Sequence, residues 1–119
     1  MNSLRKTVKR LLAGICSNVF YFYPASWVRL PCVAWRESGN RELARADGRE
    51  ILTECTYTVD IWSDSPQTNA DLADEIMTRM SVSRLTRTYS ADVFETSTRL
   101  HHRVLRFRAV VDEDGNVYQ

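Results

Sequence analysis

The sequence has few of the residues on which disulfide frameworks, metal centres and phosphate loops depend. Among 119 residues there are three cysteines, two histidines and four glycines. The cysteines are odd in number and form no C-x-x-C pair, which argues against a disulfide framework and against a zinc site. They lie among apolar residues, where a thiol usually acts as a small hydrophobe, so a reducing compartment is the simplest interpretation. The glycines are too dispersed to form a glycine-rich phosphate loop.

Recognisable catalytic arrangements are also missing. His101 and His102 are adjacent in a predicted strand, where neighbouring side chains point to opposite faces, so the two cannot line one pocket together. No serine or aspartate stands in a nucleophile elbow or another mechanistic motif. The acids Asp71, Asp74 and Glu75 have no histidine or cysteine nearby, and a favourable interaction with a helix dipole explains them. We therefore expect neither enzymatic activity nor a cofactor.

Long apolar runs do not occur either. Basic residues followed by the apolar residues 11–16 superficially resemble a secretion signal, but the run is short, Ser17 and Asn18 break it, and no clean cleavage site follows. No stretch approaches the roughly 18 consecutive apolar residues of a membrane span. We therefore expect no membrane partner.

Charge is unevenly distributed although the net charge is only +1. No acidic residue precedes Glu37, and a second basic run spans Arg84 to Arg108. The acids concentrate between Glu37 and Glu75 and at residues 112–114. Separated patches suit ordered assembly with neighbours, whereas scattered solvated faces explain the same pattern without a partner. The net charge gives no global argument for nucleic-acid binding.

The rest of the composition, 44% apolar and 26% charged, is that of an ordinary soluble globule. We predict one domain over residues 1–119, large enough to bury a core without metal or disulfide staples.

The most strongly patterned stretch runs over residues 50–80. It begins with a predicted half-buried strand, whose apolar face would hold Cys55, Tyr57, Val59 and Ile61. Ser65 before Pro66 is one possible helix start, and Thr68 with Asp71 is another, which resembles a capping box. Apolar residues then recur at helical spacing, at Leu72, Ala73, Ile76, Met77 and Met80.

Further elements are predicted on both sides of this stretch. A first amphipathic helix would have Ser3 as its N-cap and an apolar stripe of Leu4, Val8, Leu11, Leu12, Ile15 and Val19. Strands are predicted at residues 19–23, 32–38, 85–95 and 100–111, with a brief terminal pairing at 117–118. On the last long strand the core would receive Leu105, Phe107, Ala109 and Val111. This order predicts an α+β domain with a mostly antiparallel sheet of about four to five strands and two helices packed on one face.

Residues 39–49 are predicted to form a long polar loop between two strands, beyond the usual length of about two to five residues for a hairpin. Such loops are often functional, so an assembly contact is one interpretation and a disordered loop is another. Leu43 and Ala44 could alternatively form a turn of helix or extend the hairpin. Gly39 and Gly48 are placed in turns, and Trp27 is either a lid over the core or an exposed contact.

Arginines are frequent on the last two predicted strands, at Arg84, Arg87, Arg99, Arg103, Arg106 and Arg108. Alternate arginines on one sheet face could bind a phosphate backbone, with aromatic residues stacking on bases. The aromatics Tyr89, Phe94 and Phe107 are better explained as core residues, and the arginines equally suit salt bridges across a subunit interface.

Several motifs together resemble a known family. They are V-F-Y-F-Y, L-P-C-V-A-W-R-E, A-D-G-R-E, Y-T-V-D-I-W-S, N-A-D-L-A-D-E-I and R-L-H-H-R-V-L-R-F-R. From Leu4 to Val111 the chain resembles the small tail-completion proteins of long-tailed phages, also called tail terminators or tail-to-head joining proteins. The Y-x-V-D-I-W strand with the helix that follows it is the best marker.

The resemblance implies a virion protein that acts by geometry. It implies a homo-oligomeric ring, commonly hexameric, at the head-proximal end of the tail, which ends polymerisation of the tail tube protein and docks onto the head connector or stopper. Genomic DNA would pass through its lumen without specific binding. Alternatives within the same virion are a head-neck stopper or a tube subunit. The candidate assembly contacts are Arg41, Glu42, Arg45, Asp47, Arg49, Asp71, Asp74, Arg103, Arg106 and Arg108.

Overall fold

One sheet connects all the strands in the part of the chain that this computed structural model describes, residues 2–24 and 29–118. In chain order the described elements are α1 (Arg5–Leu12), β1 (Val19–Tyr21), β2 (Cys32–Ala46), β3 (Arg49–Ser63), α2 (Pro66–Val82), β4 (Thr86–Glu95), β5 (Leu100–Asp112) and β6 (Val117–Tyr118). The strand order is β1-β2-β3-β5-β4, with β6 beside β5. The β1–β2 pairing is parallel and the other described pairings are antiparallel. The predicted α+β class is confirmed. Trp27 lies outside the described residues.

The core lies between the sheet and the two helices. The predicted inward residues of the third strand, Cys55, Tyr57, Val59 and Ile61, are all fully buried. The predicted inward residues of β5 are buried too, at Leu105, Phe107, Ala109 and Val111. Both helices contribute to the same cluster, through Val8, Leu12, Ala73, Ile76 and Met80. Alternation of side chains along β3 and β5 therefore placed the core correctly.

The two helices lie side by side over this face. Arg79 of α2 donates to the backbone carbonyls of Leu11 and Ala13, at 3.2 and 3.0 Å. α2 covers β3, β5 and β4, and α1 lies on the β1 side. Of the two predicted starts for α2, the first is correct, because the Ser65 hydroxyl accepts from the amide of Thr68 and Pro66 begins the helix.

The ends of the first helix and strand differ from the prediction. α1 begins at Arg5 and ends at Leu12, before the positive-φ Gly14, so Ile15 and Val19 do not continue its stripe. The N-cap residue is Leu4 rather than Ser3; the Ser3 hydroxyl accepts from the amide of Arg5 at 3.1 Å and donates to Glu37 at 2.7 Å. The strand predicted to run to residue 23 ends at Tyr21, where the chain turns into a positive φ.

The predicted loop at residues 39–49 is wrong. β2 continues through residues 39–46 and pairs with β3 down to a two-residue turn at Asp47 and Gly48. Both turn residues have positive φ, 51° and 76°, which matches the turn that a right-twisted hairpin prefers. Gly39 lies within β2 at a register shift rather than in a turn. Of the interpretations left open, the extended hairpin is correct, and we call its outer part, residues 41–50, the arm.

Two aromatic residues predicted to be core lie on an edge strand. Tyr89 and Phe94 of β4 are 45% and 49% exposed, whereas Phe107 of β5 is 1% exposed. β4 pairs with β5 along one side and is the last strand of the sheet on the other. Its side chains therefore have neighbours on one side only.

The other face of the sheet carries neither of the described helices, and we call it the open face. Its residues alternate with the core residues, and it includes Glu54, Asp60, His102, Arg106 and Arg108. At the β1–β2 end this face also buries a small second cluster of Cys32, Ala34 and Trp62. Burial raises the pKa of the Cys32 thiol to about 11, so this thiol is a packing group.

Candidate assembly surfaces

The arm gathers a first group of the predicted assembly contacts, Arg41, Glu42, Arg45, Asp47 and Arg49. Arg45 pairs with Glu42 at 2.6 Å and donates to the carbonyl of Gly48 at 2.7 Å. Arg49 pairs with Glu113 at 3.5 Å. Exposed ion pairs of this kind contribute little to stability, so their charges remain available to a partner.

A second group, Arg106 and Arg108, lies on the open face of β5. Nε of Arg108 is 2.6 Å from Oε2 of Glu54, whose other oxygen is 3.2 Å from Nη2 of Arg41. The Arg108 hydrogen bond is the main cause of the lowered pKa of Glu54. The guanidinium carbon of Arg106 lies 4.8 Å from the ring centroid of Tyr89, in cation–π geometry. Glu54 thus connects Arg41, in the arm, with Arg108 on the open face.

Arg103 lies on the opposite face of the same strand. Its Nη1 is 3.3 Å from Asp92, and its Nε donates to the Ser90 hydroxyl at 3.2 Å, both on β4. Because side chains alternate along a strand, Arg103 and Arg106 cannot share a face. This separation does not favour the continuous row of arginines that nucleic-acid binding would use.

The remaining predicted contacts, Asp71 and Asp74, lie on the exposed stripe of α2. Asp71 accepts from Nε2 of Gln67 at 2.9 Å, one turn earlier. The Asp74 carboxylate has no hydrogen-bond or ion-pair partner in the part of the chain that the structure describes. The two carboxylates lie apart from the arm, so the predicted contacts form several surfaces rather than one.

Sequence reasoning missed a polar network on the open face. The His102 ring has Asp60 at 2.8 Å from Nε2 and Glu95 at 3.1 Å from Nδ1, and it stacks on Trp62 with centroids 4.6 Å apart. Arg36 reaches the other oxygen of Asp60 at 3.2 Å. The network links β2, β3, β5 and β4, so its arrangement suits cross-strand support.

A groove between α1 and β1 was also missed. Its lining includes the basic residues Arg5, Lys6 and Lys9 and the aromatic residues Tyr21 and Trp35. The signals were present in the sequence, as a basic helix followed by an aromatic strand. These signals did not predict a groove between the two elements, because the space between them depends on the parallel pairing of β1 with β2.

Within the described residues no group of histidine, cysteine, aspartate and glutamate side chains is arranged to hold a metal ion. Neither of the described helices is long and apolar enough to cross a bilayer. An α+β domain with several charged and aromatic surfaces fits the class of proteins that act through contacts with other proteins.

Comparison with known families makes this specific. The sequence model of the family described as Tail completion protein gp17 matches residues 4–112. Because the match covers nearly the whole chain, the chain belongs to this family, and the resemblance inferred from the motifs is confirmed. No curated protein matches the sequence. The protein is therefore a structural component of phage tails.

Proposed function

We propose that the protein forms a closed ring at the head-proximal end of the tail, stops polymerisation of the tail tube and joins the tail to the head connector. The observation that carries this proposal is the difference between the two lateral edges of the sheet. α1 lies on the β1 side of the sheet, whereas α2 covers the strands from β3 to β4. Unlike surfaces make heterologous contacts, and these generate a ring when the rotation between neighbours closes.

The partners follow from this role. They are further copies of the chain, six in a ring, the tail tube protein, and a connector or stopper protein of the neck. One rim of the ring would reproduce the contact that a tube subunit makes, and the other would present a different surface. Genomic DNA passes through the lumen without specific binding, and assembly takes place in the host cytoplasm. The role needs neither catalysis, nor a cofactor, nor a membrane.

Native mass spectrometry with negative-stain microscopy tests the proposal, first on purified protein and then after addition of tail tubes. We expect closed rings, alone or at one end of each tube, and tubes that no longer elongate. A protein that stays monomeric and does not bind to tube ends would contradict the proposal. Rings that bind the connector but not tubes would indicate a stopper, and rings that stack into tubes would indicate a tube subunit.

A further inference from the structure

We infer that the groove between α1 and β1 is a socket for the acidic flank of α2 from a second copy of this chain. The basic groove is the surface formed by Arg5, Lys6, Lys9, Tyr21 and Trp35. The acidic flank is the surface formed by Asp74 on the exposed stripe of α2 and by Phe94 on β4. The inference rests on the proposed ring and names the two surfaces that close it.

The basic groove combines an apolar floor with a cationic rim. Its volume is about 510 Å³, within the range of sites that hold a ligand or several side chains. The ring of Tyr21 meets Trp35 edge-on, at a centroid distance of 4.8 Å, and remains 49% exposed. An exposed aromatic edge beside cations suits an occupant with both an apolar group and carboxylates.

The cations of the rim are not equally available. The Tyr21 hydroxyl, and then the Glu37 carboxylate at 3.5 Å, raise the pKa of Arg5. Arg5 is thus already engaged within the subunit. Lys6 and Lys9 have no carboxylate partner among residues 2–24 and 29–118. The groove therefore presents two unneutralised ammonium groups at its edge.

The acidic flank has the complementary composition. The Asp74 carboxylate is exposed and, within the described chain, unpaired, and Asp71 lies one turn before it on the same stripe. Phe94 is 49% exposed and pairs with His101 on the helix side of the sheet. Asn69 of α2 donates to the carbonyl of His101 at 3.0 Å, which places Phe94 beside the first half of α2.

The two surfaces lie on opposite sides of the subunit, as a head-to-tail ring requires. Arg79 marks the side of α2 that faces α1, because it donates to the Leu11 carbonyl. Asp74 precedes Arg79 by five residues, which rotates it by about 140° around the helix axis and away from α1. On the other side of the molecule, Lys9 lines the groove toward β1.

Charged residues on two different strands also lie at the same height along the strand direction. One row of the sheet runs from Glu37 of β2 through Tyr57 and Phe107 to Arg87 of β4, so Glu37 and Arg87 mark the same level on these two strands. Arg87 has no carboxylate partner in the described part of the chain. A sideways repeat of the subunit would bring the exposed Arg87 to the level of the Arg5–Glu37 pair beside the groove.

Charge exchange tests the inference. We expect Lys9→Glu and Asp74→Lys each to raise the concentration for half-assembly at least about tenfold, because each places like charges in contact. The double variant Lys9→Glu with Asp74→Lys restores the attraction and should assemble as the wild type does. Arg10→Glu, on the same helix but outside the groove lining, and Asp114→Lys, in an exposed turn, are the matched controls. Native mass spectrometry over a concentration series gives the readout, with circular dichroism to verify folding.

The outcomes separate this inference from the ring proposal. Rings that form equally well in the wild type and in all variants would overturn the proposed contact between the basic groove and the acidic flank, and would leave the ring proposal intact. A wild type that forms no ring, even on tube ends, would overturn both. Single variants that lose binding to anionic vesicles or to tail tubes, while rings persist, would assign the groove to those partners instead.

Discussion

The hydroxyl of Tyr57 holds the start of α1 against the sheet. It accepts from the backbone amide of Leu4 at 2.8 Å and lies 3.4 Å from the Ser3 hydroxyl. The ring is fully buried, and this burial is the main reason why the pKa of Tyr57 is raised. A neutral hydroxyl is therefore a fixed part of the core. The alternation along β3 predicted that Tyr57 is buried, but not that its hydroxyl anchors a helix 53 residues away in sequence.

Replacing Tyr57 with phenylalanine tests this anchor. The change keeps the ring and leaves the Leu4 amide without its acceptor, so we expect the free energy of unfolding to fall by about 1–2 kcal/mol. Tyr118→Phe is the matched control, because its hydroxyl donates to Asp112 on the surface and its loss should change the free energy of unfolding much less. Urea denaturation below the assembly concentration gives both values. Equal losses for the two variants would contradict the anchoring role.

At the scale of elements, the arm is where sequence and structure differ most. Half of residues 39–46 have polar side chains and most of this part of the strand is exposed, so no apolar alternation marks it. Three register shifts between Glu37 and Arg45 also break a regular period. Periodicity detects burial rather than strand pairing, so an exposed hairpin looks like a loop. β4 shows the converse, since Tyr89 and Phe94 have the composition of core residues but lie on an edge.

The turn of the arm should depend on one glycine. Gly48 has a φ of 76°, which costs an L side chain about 1–2 kcal/mol, so Gly48→Ala should destabilise the arm by about that amount. Gly39→Ala is the control, because its added Cβ would lie 3.5 Å from Thr56, an ordinary contact, and its φ is not positive. Amide hydrogen exchange of residues 41–50, compared between the two variants, measures the difference. Unchanged exchange in Gly48→Ala would show that the turn is not what holds the arm.

At the scale of the whole molecule, the fold class and most of its core followed from strand alternation and helical spacing of apolar residues, and the family from a few motifs. The candidate contacts were only partly predictable. Charged residues such as Asp74 and Arg106 are visible in a sequence, but the face on which each lies depends on pairing between distant strands. The groove between α1 and β1 could not be predicted for the same reason. Its presence depends on the parallel pairing of β1 with β2, the next strand in the chain.

The single domain predicted from chain length can be tested by its unfolding. All described strands share one sheet, and both helices share its main core, so we expect one cooperative transition. Far-ultraviolet circular dichroism and tryptophan fluorescence should give the same denaturation midpoint, again below the assembly concentration. Two separate midpoints would indicate that part of the chain unfolds independently.

The arm has a consequence for the shape of the proposed ring. It lies at one end of a molecule that measures 52 Å along its longest axis and 24 and 22 Å across. If neighbours join through the flanks beside β1 and β4, the strands run along the ring axis, and every arm projects from the same rim. The ring would then be a crown with a smooth side and a toothed side. Such an object has an intrinsic direction, which would allow one chain to distinguish the tube from the head.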